Sequence, residues 1–151
     1  TMQEVANHVR PRPIKGMKVV QLNGGVSRAE YDTRASEVAQ KIAEKYQAVP
    51  FLLPLPAIVD RAELKEAILQ DRNISRTLNL ARTAGIAMFT VGAFDYDSVL
   101  VKADYFEPAE VEFLLKNRAV GDICSRIITE DGDVCSPDLD ARTIGINLQE
   151  L

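Results

Sequence analysis

Short apolar runs alternate along the chain with stretches whose apolar residues recur every three or four positions. The runs Met17–Leu22, Phe51–Leu55 and Ile86–Val91 are nearly continuous in apolar character, which is typical of strands buried on both faces. The clearest helical spacing covers Tyr31–Tyr46. Because strand-like and helix-like segments alternate, the pattern predicts an α/β fold with a mainly parallel sheet flanked by helices.

Polar residues ahead of the helical stretches predict where the helices begin. Asp32 or Thr33 is the candidate N-cap of the first long helix. Asp60, with Glu63 placed to complete a capping box, predicts a helix that runs to about Leu69. Three further helices are predicted: a short one over Thr1–Val9, one opening at Asn73 or Ser75, and one opening at Glu107-Pro108.

The C-terminal part contains a hairpin signal and both cysteines of the chain. The segment Glu130–Asp133, with Asp131-Gly132 as a two-residue turn, predicts a hairpin between Gly121–Thr129 and Val134–Cys135. In that register Cys135 lies opposite Ile128, about 13 Å along the sheet from Cys124. The distance is too great for a disulfide, so both thiols are predicted to be reduced.

Composition and charge place the chain among globular proteins of the cytoplasm. Hydrophobic residues make up 46% of the chain and charged residues 26%, which is typical of globular proteins. The net charge of -4 argues against binding of nucleic acid through the overall charge of the chain. No apolar run approaches the roughly 20 residues that span a membrane, and the polar, amphipathic stretch Thr1–Arg10 does not have the pattern of a signal peptide. Because the chain opens on a helix and its last apolar run stops at Leu151, we expect residues 1–151 to be part of a larger domain.

The turn Gln21–Gly25 is the first candidate for ligand binding. It follows a predicted strand, and ligands of open α/β sheets bind beyond the carboxyl ends of strands, beside helix N-termini. Glycines allow backbone N–H groups to approach an anion, and Thr33 and Arg34 could add a hydroxyl and a cation. A turn that needs glycine only for a positive φ explains the same residues and is the simpler interpretation.

The second candidate is Gly92–Ser98, after the third predicted strand. The carboxylates of Asp95 and Asp97 can accept hydrogen bonds from sugar hydroxyls, but they could equally cap the following segment. In Ala119–Ile123, by contrast, the favoured interpretation of Gly121 and Asp122 is a helix-to-strand connection with Gly121 at the C-cap.

No motif in the chain predicts catalysis, a metal site or a cofactor. The single histidine, His8, has no predicted nucleophile and orienting acid beside it. Nucleophile elbows, phosphate-binding loops and paired-cysteine motifs are absent from the sequence. The sequence therefore favours binding over catalysis.

Taken in order, the motifs of the chain resemble the sugar-binding domain of SorC/DeoR-type bacterial transcriptional regulators. The resemblance covers nearly the whole chain. It rests on this series: Thr1–Ala6, Val19–Gly25, a helix opening near Thr33, Leu53–Ala57, Val91-Gly92, Asp97-Ser98, Ala119–Ile123 and Arg142–Ile146.

The resemblance implies a fold related to the sugar-phosphate isomerases that is used for sensing. It also implies an N-terminal helix-turn-helix domain for DNA binding, which this chain lacks along with outer segments of the effector domain. Family members act as homo-oligomers, dimers or tetramers, and their effector is a phosphorylated sugar or a free polyol. The phosphate is held by amides and hydroxyls that include the position of Thr1, and the position of Asn23 faces the ligand.

An asparagine at position 23 predicts reversible binding, because an amide forms no Schiff base and brings no charge to a phosphate. One phosphate or none is expected on the ligand. An isomerase-like enzyme and an oligomerisation module without ligand remain as alternatives. The predicted ligand-binding residues are Thr1, Gln21, Asn23, Gly24, Gly25, Thr33, Gly92, Asp95, Asp97 and Ser98.

Overall fold

The computed structural model describes residues 1–26 and 34–151. Within them the chain forms helices and two small sheets. The elements are α1 (Met2–His8), β1 (Lys18–Val20), α2 (Ala35–Tyr46), β2 (Val49–Phe51), α3 (Ala62–Leu69), α4 (Arg72–Arg82), β3 (Val91–Ala93), α5 (Val99–Lys102), α6 (Pro108–Lys116), β4 (Ala119–Ile123), β5 (Arg126–Thr129), α7 (Pro137–Arg142) and a 3-10 turn (Leu148–Glu150).

Strands β1 and β2 pair in parallel, and α2 connects them. Both strands are shorter than predicted: β1 ends at Val20, and β2 lies before the proline-rich stretch that the sequence assigned to it. The ladder stops at Phe51 because the Leu53 N–H donates to the Gln21 side chain instead of to a strand, and Pro54 has no N–H to donate. The α/β class is confirmed, with parallel pairing in the described residues limited to this pair.

Helix α2 begins later than predicted. Its N-cap is Arg34, which has a left-handed φ of 55° and makes no side-chain capping bond. The predicted caps Asp32 and Thr33 lie outside the described residues. The helix ends at Tyr46 as predicted, where Gln47 adopts φ 51° and its N–H closes the last turn onto Ala43 and Glu44.

Two of the other predicted helix starts are wrong. Helix α3 is preceded by Arg61 at the N-cap position, without a side-chain capping bond, rather than by Asp60. Helix α4 is capped by Asp71, whose Oδ1 accepts from the N–H groups of Asn73 at 2.8 Å and Ile74 at 3.1 Å. A carboxylate that satisfies two N–H groups of the first turn explains why α4 begins ahead of both predicted starts.

The third predicted strand, Ile86–Val91, is wrong in position and in burial. Strand β3 occupies Val91–Ala93, and the preceding apolar residues form no strand or helix. Ile86 is 82% exposed, and Met88 and Phe89 are also exposed. Apolar character therefore predicted burial here, although no described strand covers this run.

Strands β3, β4 and β5 form an antiparallel sheet in that order. The sequence assigned residues 121–129 to one strand, but Cys124 and Ser125 interrupt it with φ values of 50° and 68°. Positive φ at both central residues is the geometry of a type I′ turn, which joins β4 to β5 as a two-residue hairpin.

The second predicted hairpin exists with a different register. Val134, rather than Cys135, lies opposite Ile128, and the N–H of Cys135 donates to the Ile127 carbonyl at 2.8 Å. The turn is longer than two residues, because Thr129 bonds to the Asp133 carbonyl. Both cysteines are free thiols, as predicted.

The main core lies between the antiparallel sheet and helices α5, α6 and α7. Phe94 and Phe106 meet there edge to face, with ring centroids 5.7 Å apart. Its buried members are Ala57, Ile58, Phe94, Leu100, Ala103, Tyr105, Phe106, Val111, Leu114, Ala119, Ile127 and Leu139. Within residues 1–26 and 34–151, no helix combines the length and apolarity needed to cross a bilayer.

Candidate functional site

Three segments meet beyond the carboxyl end of β1. Asn23 forms an antiparallel bridge with Gly145, and its Nδ2 donates a hydrogen bond to Ser125 Oγ at 2.9 Å. The end of β1, the β4–β5 turn and the segment after α7 therefore converge on one residue. We call Asn23, Asp122, Ser125 and Gly145 the junction.

Gln21 is a buried residue whose side-chain amide bonds to segments next to the junction. Its Nε2 donates to the carbonyl oxygens of Asn23 at 2.8 Å and Leu53 at 3.5 Å. Its Oε1 accepts from the Leu53 N–H and the Ser36 hydroxyl, each at 3.3 Å. Because both the nitrogen and the oxygen of its side-chain amide are hydrogen-bonded, Gln21 positions Asn23 and the start of α2. Its described contacts are structural.

The glycine turn does not present free amides to an anion. The N–H of Gly24 donates to the Ile144 carbonyl at 3.0 Å, and those of Gly25 and Val26 donate to the Leu55 carbonyl at 2.8 and 3.0 Å. Neither glycine has a positive φ. The requirement at Gly24 is instead close packing, because a Cβ there would overlap the Pro56 carbonyl.

Asp122, which the sequence interpretation treated as structural, belongs to the junction. Its Oδ2 accepts the Ser125 N–H at 3.2 Å, and burial raises the pKa of its carboxyl above the usual value. It lies in β4 directly opposite Gly92, where a side chain would collide with its Oδ1. Gly121 is also a strand residue rather than a helix C-cap; Asn117 holds that position on α6.

The junction offers open hydrogen-bond acceptors. Asn23 Oδ1 and Asp122 Oδ1 have no hydrogen-bond partner among the described residues, and the Ser125 hydroxyl retains its own hydrogen for donation. These two acceptors and one donor lie in or next to the β4–β5 turn. Such a set suits a ligand that carries several hydroxyl groups.

A buried guanidinium supports the junction from beneath. The Arg126 side chain is 1% exposed, and it donates to the carbonyl oxygens of Ile146 at 2.8 Å and Gly145 at 3.2 Å and pairs with Asp140. Gly145 packs so closely against Asn23 that a Cβ would lie 2.7 Å from the Asn23 Cβ. Arg126 therefore holds Gly145 against Asn23, and its positive charge is paired with the carboxylate of Asp140.

Cys124 is at the tip of the same turn, where burial and then the nearby Asp122 raise its pKa to about 11. The thiol is therefore protonated near neutral pH and is a poor nucleophile. Among the described residues, no group of three or more His, Cys, Asp or Glu could hold a metal ion.

The structure brings only part of the predicted site to the junction. Gln21, Asn23, Gly24, Gly25 and Gly92 lie in it or against it. In the second candidate segment, Asp95 Oδ1 accepts the Asp97 N–H at 2.8 Å, and Asp97 is 89% exposed and paired with Lys102 at 3.1 Å. No described contact links these two carboxylates to Asn23.

The remaining predicted residues have local roles or are not described. Ser98 is the N-cap residue of α5, and its buried Oγ has no partner among the described residues. Thr1 caps α1, with its Oγ1 accepting the Glu4 N–H at 3.4 Å. Thr33 lies outside the described residues.

Comparison with known families identifies the chain. A family model described as "Putative sugar-binding domain" matches residues 1–151. The chain belongs to this family. It is 42% identical over 151 residues to the deoxyribonucleoside regulator of Bacillus subtilis, covering 100% of this chain and 48% of that protein.

Solved structures agree with the family assignment. A DeoR family transcriptional regulator from Listeria monocytogenes matches with a TM-score of 0.86 and 26% identity, over 99% of this chain and 58% of that chain. The full-length sorbitol operon regulator SorC from Klebsiella pneumoniae shares the fold, with a TM-score of 0.83 and 16% identity over 99% and 49% of the two chains. The resemblance to SorC/DeoR regulators is thus confirmed, and this chain spans about half the length of these relatives.

Proposed function

We propose that the chain is the effector-sensing part of a sugar-responsive transcriptional regulator and that a sugar binds at the junction. The observation that carries the proposal is the convergence of Asn23, Ser125 and Asp122 beyond the end of β1. Their open acceptors match the hydroxyl hydrogens of a carbohydrate, and strand ends are where α/β sheets hold ligands.

The proposed binding is non-covalent. The junction contains an amide, a hydroxyl and a carboxylate, and burial raises the pKa of the adjacent Cys124 thiol to about 11, which keeps it protonated. None of these groups forms a Schiff base with a sugar aldehyde. Asp122 is the one group that could act as an acid or a base, so an isomerase-like activity is the alternative that an experiment has to exclude.

The hydroxyl end of the ligand is proposed to face the junction, with any phosphate placed elsewhere. The three amides of the glycine turn are bonded to carbonyls, and Arg126 is bonded to Asp140 and two carbonyls. Among the described residues, the junction therefore offers a phosphate no unpaired cation, while the carboxylate of Asp122 repels one. A ligand with one phosphate or none fits this distribution.

In the whole protein, DNA recognition is proposed to lie in a separate helix-turn-helix domain of a cytoplasmic homo-oligomer, a dimer or tetramer. The effector changes DNA affinity only to the extent that it binds two arrangements of the oligomer unequally. The name of the deoxyribonucleoside regulator suggests a pentose as part of its effector, so pentoses and their phosphates are the first candidates for this chain.

Thermal melting with ribose, 2-deoxyribose, a pentitol and the 5-phosphates of the pentoses tests this proposal. A ligand at a hundredfold excess over its Kd stabilises the native state by about 2.7 kcal/mol, which raises Tm measurably. NMR spectra of the recovered sugar distinguish sensing from turnover. The Asp122→Asn variant should lose most of the ligand-induced rise in Tm. The control Asp133→Asn, which replaces an exposed carboxylate on the neighbouring turn, should keep it.

Each result decides between the candidate functions. A ligand-dependent shift with unchanged sugar supports sensing at the junction. Chemical conversion of the sugar supports an enzyme instead. If every compound leaves Tm unchanged in both the wild type and the control, the junction is a structural contact and the oligomerisation module is the better description.

A further inference from the structure

The overall charge of -4 conceals a strong segregation of charge along the chain. Residues 1–82 contain thirteen Lys or Arg and nine Asp or Glu, whereas residues 83–151 contain five and thirteen. No acidic residue occurs between Glu4 and Glu30. An asymmetry of this size is typical of a protein with one face that meets a polyanion.

The structure gathers several of these cations on one surface. Lys18 Nζ and Arg76 Cζ each lie 6.0 Å from the centre of the Phe51 ring, which brings β1 and α4 together. Arg72 is one helical turn before Arg76 and so lies on the same face of α4. We call Lys18, Arg72 and Arg76 the basic surface.

A second basic segment reaches the neighbouring end of the β1–β2 sheet. The N–H of Arg12 donates to the Lys45 carbonyl at 2.8 Å, so the extended stretch before β1 runs along the end of α2. Lys18 in turn lies opposite Val49, just after α2. Arg12 and Lys45 therefore continue the positive charge beyond the basic surface.

These cations are not neutralised within the described part of the chain. None of the three residues of the basic surface forms an ion pair there, while Arg82, Lys102, Lys116, Arg118, Arg126 and Arg142 all do. Helix α4 itself contains no acidic residue, and its capping carboxylate, Asp71, is occupied by the N–H groups of Asn73 and Ile74.

A groove of about 530 Å³ runs along the same helix. Its polar lining consists of hydrogen-bond donors without a carboxylate: Gln70, Arg72, Ser75, Arg76, Asn79 and Thr83. Guanidinium groups flanked by amides and hydroxyls are the side chains that contact nucleic-acid phosphates, and such contacts carry no sequence information.

We infer that the basic surface and the α4 groove form a docking surface for the phosphate backbone of duplex DNA. In a regulator, a sequence-reading domain on the same polypeptide holds this surface near DNA at high effective concentration, so weak contacts suffice. The contact supplements sequence-specific recognition, and it is independent of whether a sugar occupies the junction.

Binding of the 151-residue chain to a labelled random-sequence duplex of about 20 base pairs tests the inference. Fluorescence anisotropy should show binding that weakens linearly on a log–log scale as salt rises, with a slope of about 0.9 per phosphate contact. The double variant Arg72→Gln/Arg76→Gln should lower the slope by up to about 2 and weaken binding at low salt at least fivefold.

The matched control is Lys116→Gln/Arg118→Gln, which removes the same net charge from the acidic half of the chain. It should leave both affinity and slope unchanged. Equal losses in the two double variants would mean that only net charge matters and would overturn the inference, as would absence of salt-dependent binding. Light scattering without DNA gives the third outcome: salt-sensitive self-association that is lost in Arg72→Gln/Arg76→Gln would assign the surface to a second copy of the chain.

Discussion

The Asn23 side chain donates a 2.9 Å hydrogen bond to the Ser125 hydroxyl, although the two residues are 102 positions apart in the chain. The bond joins the end of the parallel strand β1 to the tip of the antiparallel β4–β5 hairpin. A ligand that contacts either residue therefore acts on both sheets. This relationship makes Asn23 the most informative position for mutation.

Replacing Asn23 by alanine should weaken sugar binding about tenfold while the fold is retained. One hydrogen bond is worth about 0.5–1.5 kcal/mol in net stability, so unfolding free energy should fall by no more than that. Calorimetric titration and urea unfolding measure the two effects separately. Asn73→Ala, at an exposed position on α4 where the side chain makes no hydrogen bond to another described residue, is the control and should change neither. Global unfolding of Asn23→Ala would show that the residue is structural.

Replacing Asp122 by asparagine should change how stability depends on pH. Burial raises the pKa of Asp122 in the folded state, so the folded chain holds this proton more tightly than the unfolded chain. The contribution of Asp122 is therefore greatest below its unfolded pKa and is lost as pH rises through the folded pKa. Relative to wild type, Asp122→Asn should gain stability between acidic and neutral pH. Urea unfolding across this range measures the difference in unfolding free energy between the variant and the wild type. A difference that stays constant with pH would contradict the assignment.

Replacing Arg126 by methionine should destabilise the protein strongly. The change leaves Asp140 without its buried partner and removes the donors to the carbonyl oxygens of Gly145 and Ile146. Breaking a buried ion pair costs on the order of 3–5 kcal/mol, whereas an exposed pair contributes about 0.2–1 kcal/mol. Arg118→Met, which breaks an exposed pair with Glu130, is the matched comparison in urea unfolding. Similar losses in the two variants would show that Arg126 is not a structural support.

Replacing Gly24 by alanine tests whether close packing determines that position. A Cβ at Gly24 would overlap the Pro56 carbonyl, and backbone shifts of this kind cost about 1–3 kcal/mol or more. Gly85→Ala is the control, because a Cβ there meets nothing within 4 Å and the residue has no positive φ. The control should be neutral or slightly stabilising in thermal melts. An equally benign Gly24→Ala would mean that the turn can shift away from Pro56.

The longer helices were the most predictable parts of the fold, because each carries its own periodicity and some carry recognisable end signals. The end of α2 at Tyr46 and the start of α6 at Pro108 agree with the prediction for this reason. The β4–β5 turn was missed because Cys124 and Ser125 adopt positive φ without the asparagine or glycine that normally indicates it. A context-dependent turn of this kind leaves no local signal.

In the junction, Asn23 could be anticipated from the sequence and Asp122 could not. Asn23 follows a strand, so its position at a strand end was visible in the sequence. Asp122 reaches the same place only because β4 pairs with β3 and turns back after Ile123, and neither relationship is local. The nearest usable signal is the glycine opposite it: Gly92 leaves room for a carboxylate from the neighbouring strand.

The exposed apolar run before β3 has a practical consequence for handling the protein. It places the exposed side chains of Ile86, Met88 and Phe89 next to β3, whose outer edge pairs with no strand in residues 1–26 and 34–151, and such an edge can recruit strands from other molecules. Concentrated preparations of the 151-residue chain should therefore precipitate. A lysine substituted at Ile86 would act as a gatekeeper charge and keep such preparations clear without touching the junction.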